Sequence, residues 1–139
     1  MKNKNILVTG GGGFLGKAIV KKLIKNKAKI YSFSRHFYPE LDTMGVIQIQ
    51  GDIADGEFLA KALKGMEIVF HVAAKPGVWG PFDEYYKTNV IGTENIISAC
   101  FDNNIGQLIY TSSPSVIFDG SDMENADESV PYPEKYLAA

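Results

Sequence analysis

The stretch Asn5-Ile6-Leu7-Val8-Thr9-Gly10-Gly11-Gly12-Gly13-Phe14-Leu15-Gly16 leaves this chain few folds to choose from. Ile6, Leu7 and Val8 form a continuous apolar run, as in a strand buried on both faces of a parallel sheet, and Leu15, Ile19 and Leu23 then recur at helical spacing. The glycines stand where strand must turn into helix. Glycine adopts positive φ at little cost, and backbone without a Cβ lets a pyrophosphate approach, needs that Gly10, Gly13 and Gly16 fit. A helix beginning near Phe14 aims its free N–H groups and positive dipole end at a bound anion. Dinucleotide binding is the first expectation; a tight strand-to-helix turn or a flexible linker is the alternative for a glycine pattern taken alone.

Strand and helix signals alternate along the rest of the chain. Phe14 to Asn26 reads as a helix, Ala28 to Ser34 as a strand, His36 to Gly45 as a loop, and Val46 to Gln50 as a strand near the sheet edge with one solvated face. A short helix carries Phe58, Leu59, Ala62 and Leu63 and stops at Gly65. Glu67 to Val72 is the next strand, with Ala73-Ala74 at its carboxyl end. A long helix spans about Phe82 to Asn103, and Gln107 to Thr111 is the fifth strand. This order predicts an α/β fold: a Rossmann-type doubly wound parallel sheet with strand order 3-2-1-4-5 and right-handed crossovers, in one domain over residues 1–139.

The end of the second strand bears on the cofactor. An acidic residue there accepts the ribose hydroxyls of NAD, whereas arginine accommodates the 2'-phosphate of NADP. Here the pair is Ser34-Arg35, and no carboxylate follows until Glu40. NADP(H) is therefore expected over NAD(H), with a solvated Arg35, or one stacked on adenine, as the alternative.

The motif Thr9-Gly10-x-x-Gly13-Phe14-Leu15-Gly16 resembles the N-terminal fingerprint of the extended short-chain dehydrogenase/reductases, which include the NAD-dependent epimerases and dehydratases. Gly51-Asp52-Ile53, His71-Val72-Ala73-Ala74, Asn89-Val90-Ile91-Gly92-Thr93 and Tyr110-Thr111-Ser112-Ser113 follow in the family's order. Ser32-Phe33-Ser34-Arg35 with Tyr38-Pro39-Glu40-Leu41, Ala73-Ala74-Lys75-x-Gly77-x-Trp79-Gly80 and Ser113-Pro114-Ser115-Val116 are similar to the 3β-hydroxysteroid dehydrogenase-like branch, and within it to the bacterial 2-alkyl-3-oxoalkanoate reductases. The resemblance implies hydride transfer between a nicotinamide and a carbonyl or secondary alcohol. It implies cofactor contacts from Thr9, Gly10, Gly13, Phe14, Leu15, Gly16, Ser34, Arg35, Asp52, Ile53, Ala73, Ala74 and Lys75. Asp52 would meet the adenine amino group and Ile53 pack on the ring; a helix N-cap or turn is the plainer role for Asp52. Ser113, with Ser112 as alternative, would hydrogen-bond the substrate carbonyl, and Asn89 would help orient an active-site lysine. A homodimer is implied for the full-length enzyme.

Other classes fare less well. With 45% hydrophobic and 22% charged residues and a net charge of -2, there is no overall basic field for nucleic acid or an anionic membrane. The apolar run behind Met1-Lys2-Asn3-Lys4 is too short for a signal peptide or a membrane span, and a cytoplasmic protein is expected. The one cysteine, Cys100, excludes an internal disulfide; it reads as a core residue on a helix side shared with Val90, Thr93 and Ile97. His36 and His71 have no ligand-spaced partners, so no metal site is expected, and His71 reads as a packed strand residue. The Lys75 to Pro81 loop would either cover a cofactor or form a surface connection with Trp79 packed beneath it. Asp119 to Glu134 is acidic and reads as a solvated loop.

The family's proton donor is a tyrosine in a Tyr-x-x-x-Lys unit. Four residues after Tyr31, Tyr38, Tyr85, Tyr86, Tyr110 and Tyr132 stand Arg35, Asp42, Asn89, Val90, Pro114 and Tyr136, and Tyr136 has no residue at that distance. Pro131 to Ala139 looks like the segment before the catalytic tyrosine. The chain is expected to be the N-terminal part of a longer enzyme, inactive alone. A nucleotide-sugar epimerase or dehydratase, and a non-catalytic dinucleotide sensor, remain as alternative functions.

Overall fold

The computed structural model describes residues 2–77 and 79–134. Met1, Val78 of the Lys75 to Pro81 loop, and residues 135–139 of the segment likened to the approach to a catalytic tyrosine lie outside the described residues.

Strands β1 (Asn5–Thr9), β2 (Lys29–Ser34), β3 (Ile47–Gln50), β4 (Ile68–His71) and β5 (Gln107–Tyr110) pair in parallel in the order β3-β2-β1-β4-β5. That is the Rossmann-type order the sequence predicts. Along β1, Leu7 points into one core with Phe33, Leu59, Val69 and Ile96, whereas Ile6 and Val8 point into the other with Val20, Leu23, Ile30 and Leu41. Each such side chain contributes about 1.5–3 kcal/mol when fully buried, so a one-residue slip of this strand would be prohibitive. The register sets Thr9 opposite both Phe33 and His71, and His71 opposite Tyr110, which aligns the strand carboxyl ends on one rim.

Helix α1 (Phe14–Lys25) buries Gly16, Val20 and Leu23 and leaves Leu15, expected on its apolar face, at the rim. Residues read as loop between β2 and β3 contain a short helix, α2 (Pro39–Thr43), because Pro39 presets the first turn and Leu41 is drawn wholly into the core. Helix α3 (Gly56–Ala62) is capped by Asp55, whose side chain accepts the Phe58 N–H at 3.0 Å; Asp52 is not its cap.

The predicted long helix is present but not uniform: α4 (Phe82–Tyr85) runs through a π-helical turn, Tyr86–Ile91, into α5 (Gly92–Asp102). At the start of α5, a Cβ on Gly92 would lie 2.6 Å from Ile53, in the segment that leads into α3. Residues in line with Gly92 are therefore buried, namely Ile96, Ala99 and Cys100. Val90 and Ile97, expected beside Cys100, face outward instead. The extra residue in the π turn takes Val90 out of phase with the helix that follows. Burial pushes the Cys100 thiol up to about 11 and keeps it protonated. No described helix is long and apolar enough to cross a membrane.

Candidate functional site

At the end of β1 the chain turns at Gly10, whose φ of 67° resists any side chain. The Gly10 N–H donates to the Phe33 carbonyl, the Gly13 N–H to the Gly10 carbonyl (both 3.0 Å), and the Lys17 N–H to the Gly13 carbonyl (2.9 Å). A Cβ on Gly16 would lie 2.2 Å from the Gly10 carbonyl oxygen, so the helix and the loop meet backbone to backbone. Gly11 and Gly12 are close-packed too, but against side chains: a Cβ there would lie 2.5 Å from Ser32 Oγ and 2.3 Å from the Tyr38 ring. The sequence signal for these two was the unbroken glycine run, longer than the fingerprint requires. α1 starts with no side-chain cap and no carboxylate in its first turn, which leaves its N-terminal N–H groups and positive dipole end for an anion.

This loop borders a cleft of about 490 Å³. Gly10, Gly13, Phe14, Leu15, Gly16, Ser34, Arg35, Asp52, Ile53, Ala73 and Ala74 line it, so residues from four strand ends converge there. Phe14 is 97% exposed at its mouth. Ile53 shows only an edge to the cleft, being mostly packed against Gly92. The Ser34 hydroxyl donates to the His36 carbonyl at 2.8 Å. Arg35 is exposed and makes no ion pair among the described residues. Glu40, the first carboxylate after β2, is ion-paired with Lys17 and lies 3.6 Å from Lys21. The Asp52 carboxylate accepts the Ala54 N–H at 3.0 Å and sits 3.3 Å from Lys87. The Ala54 bond first, and then Lys87 and Arg35, hold it below the usual carboxylate range against the opposing effect of burial. Tyr38, part of the branch motif but given no cofactor role from sequence, also lines the cleft.

Thr9 does not line the cleft: it is completely buried, and its hydroxyl accepts the N–H groups of Val72 (3.0 Å) and Ala73 (3.1 Å). It acts on the cleft through Ala73.

Val72, Ala73, Ala74 and Pro76 separate this cleft from a second one of about 500 Å³. Lys75, Asn89, Tyr110, Ser112 and Ser113 line the second cleft, and Lys75 belongs to it and not to the first. Asn89 Oδ1 accepts the Lys75 N–H (2.8 Å) and its Nδ2 donates to the Lys75 carbonyl (3.1 Å), so this amide is committed to the loop backbone. The Lys75 ammonium pairs with Glu84 and stands 5.1 Å from the Tyr85 ring centroid. Ser113 is exposed, within 2.7 Å of the Ser115 hydroxyl, and starts a short 3₁₀ turn, Pro114–Ile117. Trp79 is 89% exposed, so its indole is not packed beneath the loop. Among the described residues, no three His, Cys, Asp or Glu side chains gather to hold a metal ion.

Comparison with known proteins agrees with this geometry. Residues 7–139 match the 3-beta hydroxysteroid dehydrogenase/isomerase family. The chain is 48% identical over 136 residues to a 2-alkyl-3-oxoalkanoate reductase of Stenotrophomonas maltophilia, covering 96% of this chain and 41% of that protein. It is 47% identical over 136 residues to a 2-alkyl-3-oxoalkanoate reductase of Shewanella oneidensis, covering 98% and 35%. Among solved structures, MoeE5 in complex with UDP-glucose and NAD superposes with a TM-score of 0.80 at 32% identity, over 93% of this chain and 42% of that one. The chain thus spans well under half the length of these relatives. The glycine turn, the cleft at the strand ends and these matches lead to one assignment: the chain belongs to the 3-beta hydroxysteroid dehydrogenase/isomerase family.

Proposed function

We propose that this chain is the dinucleotide-binding part of an oxidoreductase that prefers NADP(H) to NAD(H) and moves hydride between the nicotinamide and a carbonyl or secondary alcohol of a 3-oxoacyl or 3-hydroxysteroid-like substrate. The end of β2 carries the cofactor preference. Arg35 stands at the rim of the first cleft without an ion-pair partner among the described residues, and Lys17 and Lys21 draw off Glu40. A free guanidinium beside an uncapped helix N-terminus suits a ligand with an extra phosphate. The Ser34 proton is already given to a carbonyl, so the preference rests on Arg35. The rest of the cleft fits a dinucleotide: glycine backbone for the pyrophosphate, Asp52 and Ile53 for the adenine, and small Ala73 and Ala74 on the way to the second cleft.

The substrate reading is supported by the names of the two reductases that are 48% and 47% identical. The Ser113 hydroxyl, or Ser112 beside it, would donate to the substrate carbonyl and stabilise the oxyanion that forms as hydride arrives. The 139 residues contain no Tyr-x-x-x-Lys, so proton donation falls to residues outside them, and the chain alone should not turn over. Phe82 and Tyr86 before and in the π turn, and Ile97 and Phe101 on α5, are large apolar side chains left exposed, which supports a homodimer.

MoeE5, solved with UDP-glucose and NAD, supports a second reading, a nucleotide-sugar epimerase or dehydratase. Titration with NADPH and NADH separates the two: NADPH should bind at least about tenfold more tightly, as one charge-assisted contact gives. Equal or tighter NADH binding would abandon the NADP(H) preference. Turnover of a 2-alkyl-3-oxoalkanoate by the whole protein separates an enzyme from a non-catalytic sensor, which would bind the dinucleotide and reduce nothing.

A further inference from the structure

Thr9 and His71 face each other across β1 and β4, both closed to solvent at 0% and 1% exposure. The two N–H groups of Val72 and Ala73 occupy the Thr9 hydroxyl oxygen as acceptor. Its own proton therefore goes to Nδ1 of His71, 2.8 Å away. On the far side of the ring, Nε2 lies 3.1 Å from the Thr93 hydroxyl, which spends its proton on the Asn89 carbonyl at 2.8 Å. The Thr93 oxygen can then only accept from the ring. Both ends require one species, a neutral imidazole with Nδ1 bare and Nε2 protonated. Burial favours the same neutral ring, pushing the imidazole down to about 4.

The chain of bonds closes on itself. Asn89 continues from Thr93 and clasps Lys75 by both backbone groups, while Thr9 holds Val72 and Ala73. Both ends of the segment Val72 to Lys75 are thus gripped, and His71 joins the grips. That segment is the wall between the two clefts.

We propose that His71, as the neutral Nε2–H tautomer, is a positioning residue that couples the Thr9 grip to the Asn89 clasp and so sets the shared wall of both clefts. An imidazolium would turn an N–H toward the Thr9 proton and break the chain at its first link.

The test uses the isotope-labelled chain. Imidazole ¹⁵N spectra near neutral pH should show the Nε2–H tautomer. Thr93→Val should raise amide exchange at Lys75 by about tenfold and weaken NADPH and NADH by roughly threefold to tenfold, as loss of about one hydrogen bond predicts. Thr93→Ser, which keeps the hydroxyl, should restore both. A packing role alone would lower the unfolding temperature without moving the tautomer or this local exchange. An Nδ1–H tautomer or an imidazolium at neutral pH, or Thr93→Val with Lys75 exchange unchanged, overturns the proposal. The affinity readout rests on the dinucleotide reading of the first cleft. If neither cofactor binds the unmutated chain, that reading fails, while tautomer and exchange still decide the role of His71.

Discussion

Gln48 holds Tyr38 by both of its backbone groups: Oε1 accepts the Tyr38 N–H at 2.8 Å, and Nε2 donates to the Tyr38 carbonyl at 3.0 Å. Tyr38 closes the loop that carries Arg35, and its ring lies against Gly12. Gln48→Ala should cost about 1–3 kcal/mol of stability, because two part-buried backbone groups lose their partner. It should also weaken NADPH roughly threefold or more by loosening the loop. Gln48→Glu, which keeps an acceptor but not the donor, should fall between the two. Urea unfolding with cofactor titration checks this, and unchanged affinity in Gln48→Ala would mean that the loop holds itself.

Gly12→Ala and Gly16→Ala should differ although both meet atoms at short range. A Cβ on Gly12 meets the Tyr38 side chain, which can swing away, whereas one on Gly16 meets the Gly10 carbonyl, which cannot move without undoing the turn. Gly16→Ala should therefore destabilise the fold by about 1–3 kcal/mol or more and abolish cofactor binding. Gly12→Ala should leave a folded protein with reduced affinity. Thermal unfolding and NADPH titration of the pair would reveal equal effects if the Tyr38 ring were as fixed as the backbone.

Arg35→Ala should weaken NADPH by roughly tenfold or more and leave NADH nearly unchanged, because one charge-assisted contact contributes about 1.5–3 kcal/mol and only the phosphorylated cofactor uses it. Calorimetric titration of both cofactors measures the ratio. Parallel losses for the two would show Arg35 packing on adenine instead.

His71 gives the stability a pH dependence of known sign. The imidazole titrates near 6.5 in the unfolded chain and near 4 in the folded one. Between those values the unfolded state binds a proton that the folded state refuses, so stability falls as pH drops from 6.5 to 4 and changes no further below. The full span amounts to about 3 kcal/mol. Between pH 7 and pH 5 the unmutated chain should therefore lose about 2 kcal/mol more than His71→Gln, read by urea unfolding at each pH. Equal losses would mean that the folded protein accepts the proton.

The sheet order and the glycine turn between β1 and α1 were legible in the sequence because both are written locally. Ile6 to Val8 is apolar without a break, strand and helix periods alternate after it, and the glycine turn is local in the positive φ of Gly10 and in the contact of Gly16 with the Gly10 carbonyl. The end of β2 was legible for the same reason, since Ser34 and Arg35 are consecutive and their rim position follows from the strand's end. Tertiary structure alone decided the rest. Which side of α5 is buried depends on where Gly92 meets Ile53, and the π turn that sends Val90 outward leaves no trace in the apolar spacing. Thr9 looked like a cofactor contact until the pairing of β1 with β4 brought Val72 and Ala73 to its hydroxyl. Thr9 and His71 lie 62 positions apart in sequence and 2.8 Å apart in space. No local pattern encodes such a bond, because a hydrogen bond is fixed by distance and direction and these exist only once the sheet has closed.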